Sequence, residues 1–211
     1  MGFAAIRIRD RNAHRRNCAT RRKRAPSHYG GTERVVSWLT DELVGLGDKM
    51  TLFASGGSKT KAELVPISPK PLRLSRPPTD PTSALTALLE CVARRADNFD
   101  VIHCHLDWIH IPLFRRLGRP FVTTLHGRLD LPHMHSFVAG FADTPFVSIS
   151  NNQRGPLAEL NFVDTIYLPE RGYCCRICRA KASWRFWAAS RRSAPHSGVV
   201  SALFSAAGGG T

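Results

Sequence analysis

The sequence lacks any apolar run close to the roughly 20 residues that a membrane-spanning helix needs. Its first residues, "MGFAAIRIRDR", combine a short apolar stretch with several arginines, unlike a secretory signal peptide. The six cysteines follow no regular spacing, so a disulfide framework is not indicated. We therefore expect reduced thiols and a cytoplasmic protein.

Acidic residues are scarce at both ends of the chain. Residues 1–28 contain nine Lys and Arg with one acid, and residues 171–211 contain seven with none. Residues 29–170 carry a net charge of only −1, so the formal charge of +14 belongs to the two flanks. Such basicity usually indicates a nucleic-acid or membrane partner. Here the middle of the chain instead has the composition of an ordinary globular domain.

Metal-ligand patterns are sparse as well. Cys174, Cys175 and Cys178 include one Cys-x-x-Cys spacing, but no second pair follows it. His103 and His105 fall on one face of a predicted strand without a third ligand at suitable spacing. We therefore expect no bound metal.

What the middle of the chain does contain is a regular alternation of strand and helix patterns. Val36, Leu39 and Leu43 recur at helical spacing, between a possible cap at Thr32 and a stop at Gly47. Further helices are predicted at 82–99, 107–118, 131–143 and 151–160, and strands at 49–55, 62–68, 100–106, 119–127, 144–150 and 161–169. This order predicts an α/β fold, a Rossmann-like parallel sheet with helices on both faces.

Ligands of such sheets bind beyond the carboxyl ends of the strands. The residues at those ends are His103, His105, His126, Gly127, Ser150 and Asn151. Gly30 and Gly31 open the first helix, where a backbone without a β-carbon and a helix N-terminus suit a phosphate group.

Four stretches together resemble a known family: "YGGTERVVSWLTDELVGLGDKMTLFASGGS", "DVIHCHLDW", "RPFVTTLHGRLD" and "FVSISNNQR". They are similar to the N-terminal half of glycosyltransferase family 4, of the GT-B architecture, and the resemblance covers residues 29–167. It implies one of two Rossmann-like domains that face each other across a cleft. The N-terminal domain of the family holds the acceptor, and the C-terminal domain holds a nucleotide sugar. The transfer is retaining and uses no metal cofactor, and this sequence has no Asp-x-Asp motif.

The resemblance also implies roles for particular residues. Gly30 and Gly31 are expected near the donor phosphates, and His126 beside the reacting sugar as the catalytic residue. The acceptor side of the cleft is expected to include His103, His105, Gly127, Ser150 and Asn151. The partners of an intact relative would be a nucleotide sugar and an acceptor, with peripheral membrane contact left open and no specific nucleic acid.

The flanks do not fit the family. Its members begin with a hydrophobic strand and a proline loop before Tyr-Gly-Gly, where this chain has arginines. With permitted codons, residues 11–27 read one base later as "AMRIAAIAPLAGSVPP", which has that lost pattern. With permitted codons, shifting the reading frame of residues 175–195 by one base in the opposite direction gives a sequence like the start of the family's donor domain. We therefore interpret residues 1–28 and 168–211 as out of frame and expect them to be disordered, with "GFAAIRI" as an alternative surrogate strand.

The sequence thus predicts a glycosyltransferase domain at residues 29–167, followed by a basic tail in place of the donor domain. We expect this polypeptide to be a truncated fragment without activity. The alternative is a small basic nucleic-acid-binding protein that uses its arginine-rich flanks. The salt dependence of binding to random DNA separates the two hypotheses.

Overall fold

The structure, a computed structural model, describes residues 3–7, 31–45, 47–72, 80–138 and 140–167. Among these residues, no helix has both the length and the apolar character that crossing a membrane requires. Gly30, the arginine-rich stretch and the basic tail after residue 167 lie outside the described residues.

Seven strands and five α-helices make up the described part of the chain. The strands are β1 (Phe3–Arg7), β2 (Lys49–Ser55), β3 (Glu63–Ser68), β4 (Val101–Cys104), β5 (Phe121–Thr124), β6 (Phe146–Ser148) and β7 (Phe162–Thr165). The helices are α1 (Gly31–Gly45), α2 (Pro81–Ala93), α3 (Ile111–Leu117), α4 (Met134–Val138) and α5 (Asn151–Arg154). Short 3₁₀ turns at Ala96–Asn98 and Gly155–Leu157 follow α2 and α5.

The strands form one sheet in the order β3-β2-β1-β4-β5-β6-β7. The pairs β2–β3, β4–β5, β5–β6 and β6–β7 are parallel. Strand order and helix placement are those of a Rossmann-like domain, which confirms the fold class predicted from the sequence.

The central strand β1 runs against its neighbours. It is antiparallel to β2, with Phe3 opposite Phe53, and antiparallel to β4, with Phe3 opposite Cys104. The surrogate strand that the sequence allowed is therefore present in the central position. The disorder expected for residues 1–28 does not extend to Phe3–Arg7, because all five residues pair with β2 and the first four also pair with β4.

The sheet is buried between two apolar layers. On one face, α1 contributes Val36, Leu39 and Leu43 to a cluster with residues of β2, β4, β5 and β6. On the other face, α2, α3 and the 3₁₀ turn after α5 pack around Phe53, Phe114 and Phe146. Strands β4, β5 and β6 are buried at every position, as expected of strands covered on both faces.

Local signals explain where several helices begin and end. Asp80 caps α2 by accepting hydrogen bonds from the backbone N–H groups of Thr82 and Ser83, and Pro81 occupies its first position. Gly118, with φ of 65°, ends α3 in the left-handed conformation that glycine adopts without strain. The helices predicted at 107–118, 131–143 and 151–160 are shorter than expected, because turns and a 3₁₀ segment replace their ends.

Candidate functional site

Parallel strands β4, β5 and β6 bring their carboxyl ends to one edge of the sheet. His105 directly follows β4, His126 lies two residues beyond β5, and Ser150 lies two residues beyond β6. This is the edge at which ligands of doubly wound sheets bind. The structure therefore places these three sequence-predicted residues on the same side of the domain.

His105 and His126 form a direct pair. The Nδ1 atom of His105 lies 2.9 Å from the Nε2 atom of His126, which is a hydrogen-bond distance. One ring must donate its proton and the other must accept it, so the bond suits two neutral imidazoles. The outer nitrogens, Nε2 of His105 and Nδ1 of His126, are buried and have no hydrogen-bond partner among the described residues.

Burial keeps both rings of the pair neutral. It lowers the pKa of His126 to about 4, against a smaller opposing effect of the Glu33 carboxylate. It also holds the pKa of His105 well below its usual range, with the neighbouring rings of His103 and His126 acting in the same direction. At neutral pH the pair is therefore uncharged and can exchange donor and acceptor roles by a change of tautomer.

The start of α1 lies near this pair. Glu33, in the first turn of α1, interacts electrostatically with His126. Gly31 begins the helix, and a β-carbon built on it would meet no atom within 4 Å. Packing within the described structure therefore does not require glycine at this position. The open space beside a helix N-terminus is suited to an anionic group.

Gln153 ties together the loops that follow β5 and β6. Its side-chain Nε2 donates to the carbonyl oxygens of Leu125 and Gly127, at 3.0 and 2.8 Å. Its Oε1 accepts a hydrogen bond from the backbone N–H of Ile149 at 2.9 Å. The loop that carries His126 is thus held from both sides of that residue.

The remaining predicted residues occupy different environments. His103 and His105 are 1% and 4% exposed, so in this structure neither ring is open to an acceptor cleft. Both rings are buried, and His105 contacts His126 from the side of the core. Ser150 caps α5 by accepting from the backbone N–H of Gln153, and Asn151 is exposed at the first position of that helix. A β-carbon on Gly127 would come within 3.9 Å of Asp107 Oδ1, an ordinary contact.

The structure adds four polar residues that the sequence did not indicate: His110, Thr123, Thr124 and Gln153. His103 Nε2 lies 2.7 Å from the hydroxyl of Thr124, and His110 Nε2 lies 2.7 Å from the hydroxyl of Thr123. Burial lowers the pKa of both histidines to about 3. Two consecutive threonines inside an apolar strand were the signal that buried polar partners would be needed. The fourth, Gln153, gave no such signal, because its role depends on three backbone groups.

The described residues contain no group of three or more His, Cys, Asp or Glu side chains arranged to hold a metal ion. Cys91 and Cys104 are free thiols, and burial raises the pKa of Cys104 well above its usual range. Cys174, Cys175 and Cys178, the one Cys-x-x-Cys spacing in the sequence, lie outside the described residues. The site is therefore built from imidazoles, hydroxyls, a carboxamide and a helix N-terminus.

Fold and site together define a Rossmann-like α/β domain with a histidine-containing edge at the carboxyl ends of its strands. The sequence model of Glycosyltransferase Family 4 matches residues 29–172, about two thirds of the chain, and the chain belongs to this family. A search of curated proteins finds no match.

Proposed function

We propose that this domain is the acceptor-side half of a GT-B glycosyltransferase that transfers a sugar from a nucleotide-sugar donor with retention and without a metal. Membership of the family supports the class of reaction. The observation that carries the proposal is the buried, unpartnered Nδ1 atom of His126, beside the N-terminal turn of α1. A buried polar atom without a partner calls for an explanation, and a ligand bound at this edge of the sheet would supply one.

His126 would act through Nδ1, because its Nε2 is committed to His105. A sugar hydroxyl that reaches Nδ1 would satisfy this atom and would be held close to the reacting carbon. To accept that hydrogen bond, neutral His126 carries its own proton on Nε2 and donates it to Nδ1 of His105, so neither ring is charged. The depressed pKa values favour this neutral, hydrogen-bonding state over net proton uptake, which would leave one ring of the pair as an imidazolium.

Gly31 and the first turn of α1 would face the donor phosphates. The free backbone N–H groups of a helix N-terminus and the helix dipole both favour an anion there. The absence of a β-carbon leaves room for a phosphate oxygen to approach the backbone. Gly30 would share this role.

We also propose that the 211 residues do not complete a turnover on their own. A GT-B reaction needs a second domain that grips the nucleotide sugar and orients its anomeric carbon. The family model matches residues 29–172, and the residues beyond are interpreted above as out of frame. The gene sequence, read in three frames across both junctions, tests this interpretation.

We place the protein in the cytoplasm, where free thiols such as those of Cys91 and Cys104 stay reduced. The alternative function, nucleic-acid binding, depends on the arginine-rich flanks. Apart from the β1 strand, these flanks lie outside the described residues. Binding to random DNA with a steep salt dependence would favour that alternative.

The phosphate-binding part of the proposal is tested with inorganic pyrophosphate and two matched glycine variants. Gly31→Ala and Gly45→Ala alter opposite ends of α1, and a β-carbon at either position meets no atom within 4 Å. We expect saturable pyrophosphate binding to the full chain, measured by calorimetry, with loss in Gly31→Ala and retention in Gly45→Ala. Equal binding by the two variants, or no binding by the unmodified chain, would overturn the phosphate role.

A further inference from the structure

Gln153 is itself rigidly held. It is the third residue of α5, and its backbone N–H donates to the Ser150 hydroxyl at 3.1 Å. Its side-chain oxygen accepts from the backbone N–H of Ile149, directly beyond β6. The carboxamide is therefore anchored to the helix start and to the end of a buried strand.

The nitrogen of the same carboxamide donates hydrogen bonds to the residues immediately before and after His126. Both carbonyls that accept from Nε2 belong to the immediate chain neighbours of His126, namely Leu125 and Gly127. A glutamine side chain has two N–H donors, so these two bonds use its full donor capacity. The Leu125–His126 peptide and the Gly127–Arg128 peptide are thereby held relative to β6 and α5.

We propose that Gln153 is a positioning residue that fixes the ring of His126 for its role in the reaction, an inference that rests on the proposed function. The ring of His126 is set by its backbone and by the 2.9 Å bond to His105. A rotation of the Leu125–His126 peptide, or a shift of the Gly127–Arg128 peptide, would move the ring of His126 and lengthen that bond. A displacement of about 1 Å at a reacting group costs about 100-fold in rate.

Glutamine is the side chain that meets these requirements. Glutamate keeps an acceptor for Ile149 N–H, but as a carboxylate it has no proton to donate to the two carbonyls. Methionine has similar length and neither function. Asn152 is the exposed preceding residue in α5 and provides a matched control for substitution in this helix.

The test uses Gln153→Glu, Gln153→Met and Asn152→Met in the full chain. Hydrogen exchange followed by mass spectrometry reports on residues 121–133, and histidine ¹H–¹⁵N correlation spectra report on the tautomers of His105 and His126. We expect both Gln153 variants to speed exchange around residues 125–128 by about tenfold or more, since two hydrogen bonds are lost. The His105–His126 tautomer signals should change in both variants, and Asn152→Met should match the unmodified chain.

The two Gln153 variants also separate positioning from plain stability. Gln153→Glu retains the bond to Ile149, so exchange near residues 148–150 should stay slow in this variant and rise in Gln153→Met. If Gln153→Met does not fold, Gln153→Glu alone decides the question. Unchanged histidine signals in Gln153→Glu, even with a lower melting temperature, would overturn the positioning role. Absence of pyrophosphate binding by the unmodified chain would instead count against the phosphate role, and the histidine signals would still decide the positioning role.

Discussion

Thr123 and Thr124 are consecutive residues of β5, and their hydroxyl groups bond buried histidines on opposite faces of the sheet. Thr123 pairs with His110 beside Phe114 and Phe121, while Thr124 pairs with His103 from the adjacent strand β4. The alternation of side chains along a strand produces this arrangement directly. One dipeptide therefore anchors polar groups in both apolar layers below the candidate site.

The first prediction concerns these two hydroxyls. Thr123→Val and Thr124→Val preserve side-chain shape but remove the hydrogen bond to a buried imidazole. Each should lower the free energy of unfolding by about 1–3 kcal/mol, because a buried polar atom loses its partner. Urea titration at pH 7 measures this effect. Thr86→Val, whose hydroxyl bonds Thr82 on the exposed side of α2, is the control and should change stability by less than about 0.5 kcal/mol.

The second prediction concerns acid stability. The folded pKa values of His103 and His110 are about 3, below the ordinary value of 6.5 that these groups regain on unfolding. The unfolded chain therefore binds more protons between these values, and stability falls as the pH drops below 6.5. From pH 7 to pH 5 each of the two should cost about 2 kcal/mol.

Urea midpoints measured at several pH values test this dependence. His110→Gln should reduce the slope of stability against pH by about one proton. Asn152→Met, which alters an exposed residue without a titratable group, should leave the slope as it is. A stability that stays constant between pH 7 and pH 5 would contradict the neutral, buried state of these rings.

The third prediction concerns turnover. The chain alone should show no sugar transfer from nucleotide-sugar donors, because the second half of the cleft is needed. Residues 1–167 joined to the donor domain of a family member should gain transfer activity. In that two-domain protein, His126→Ala should lower kcat by about 100-fold or more, since the sugar hydroxyl loses the group that holds it close to the reacting carbon. His133→Ala should leave kcat unchanged. Transfer by the unmodified 211-residue chain would contradict the requirement for a second domain.

The fourth prediction concerns the central strand. Ala5 lies opposite Thr51 on one side and Ile102 on the other, so Ala5→Pro removes a donor in the middle of the sheet. We expect loss of about 3 kcal/mol or more and largely insoluble protein. Lys70→Pro, in the exposed bend after edge strand β3, is the control and should stay soluble. A cooperative melting transition unaltered by Ala5→Pro would show that the sheet is stable without β1.

The sequence predicted the fold well, because strand and helix patterns between residues 31 and 167 are regular and local. It also predicted that His105, His126 and Ser150 would lie at one edge of the sheet, since parallel strands end there. It could not predict the hydrogen bond between His105 and His126, or the two bonds from Gln153 to the residues on either side of His126. Those contacts depend on the register of β4, β5 and β6. The direction of β1 could not be predicted either, because the five residues Phe3–Arg7 carry no sequence pattern that distinguishes a parallel from an antiparallel strand.

The antiparallel β1 strand has a consequence for the order of folding during synthesis. Phe3 is made about a hundred residues before Cys104, yet the two lie opposite each other. At roughly 5–20 residues per second, β1 waits about 5–20 s for its second neighbour to be synthesised. During that interval β2 can pair with one edge of β1, but the other edge of β1 can pair with any other extended chain. Yield from cells should therefore depend on chaperones that cover exposed strand edges, more than for a domain whose first strand pairs within its own βαβ unit.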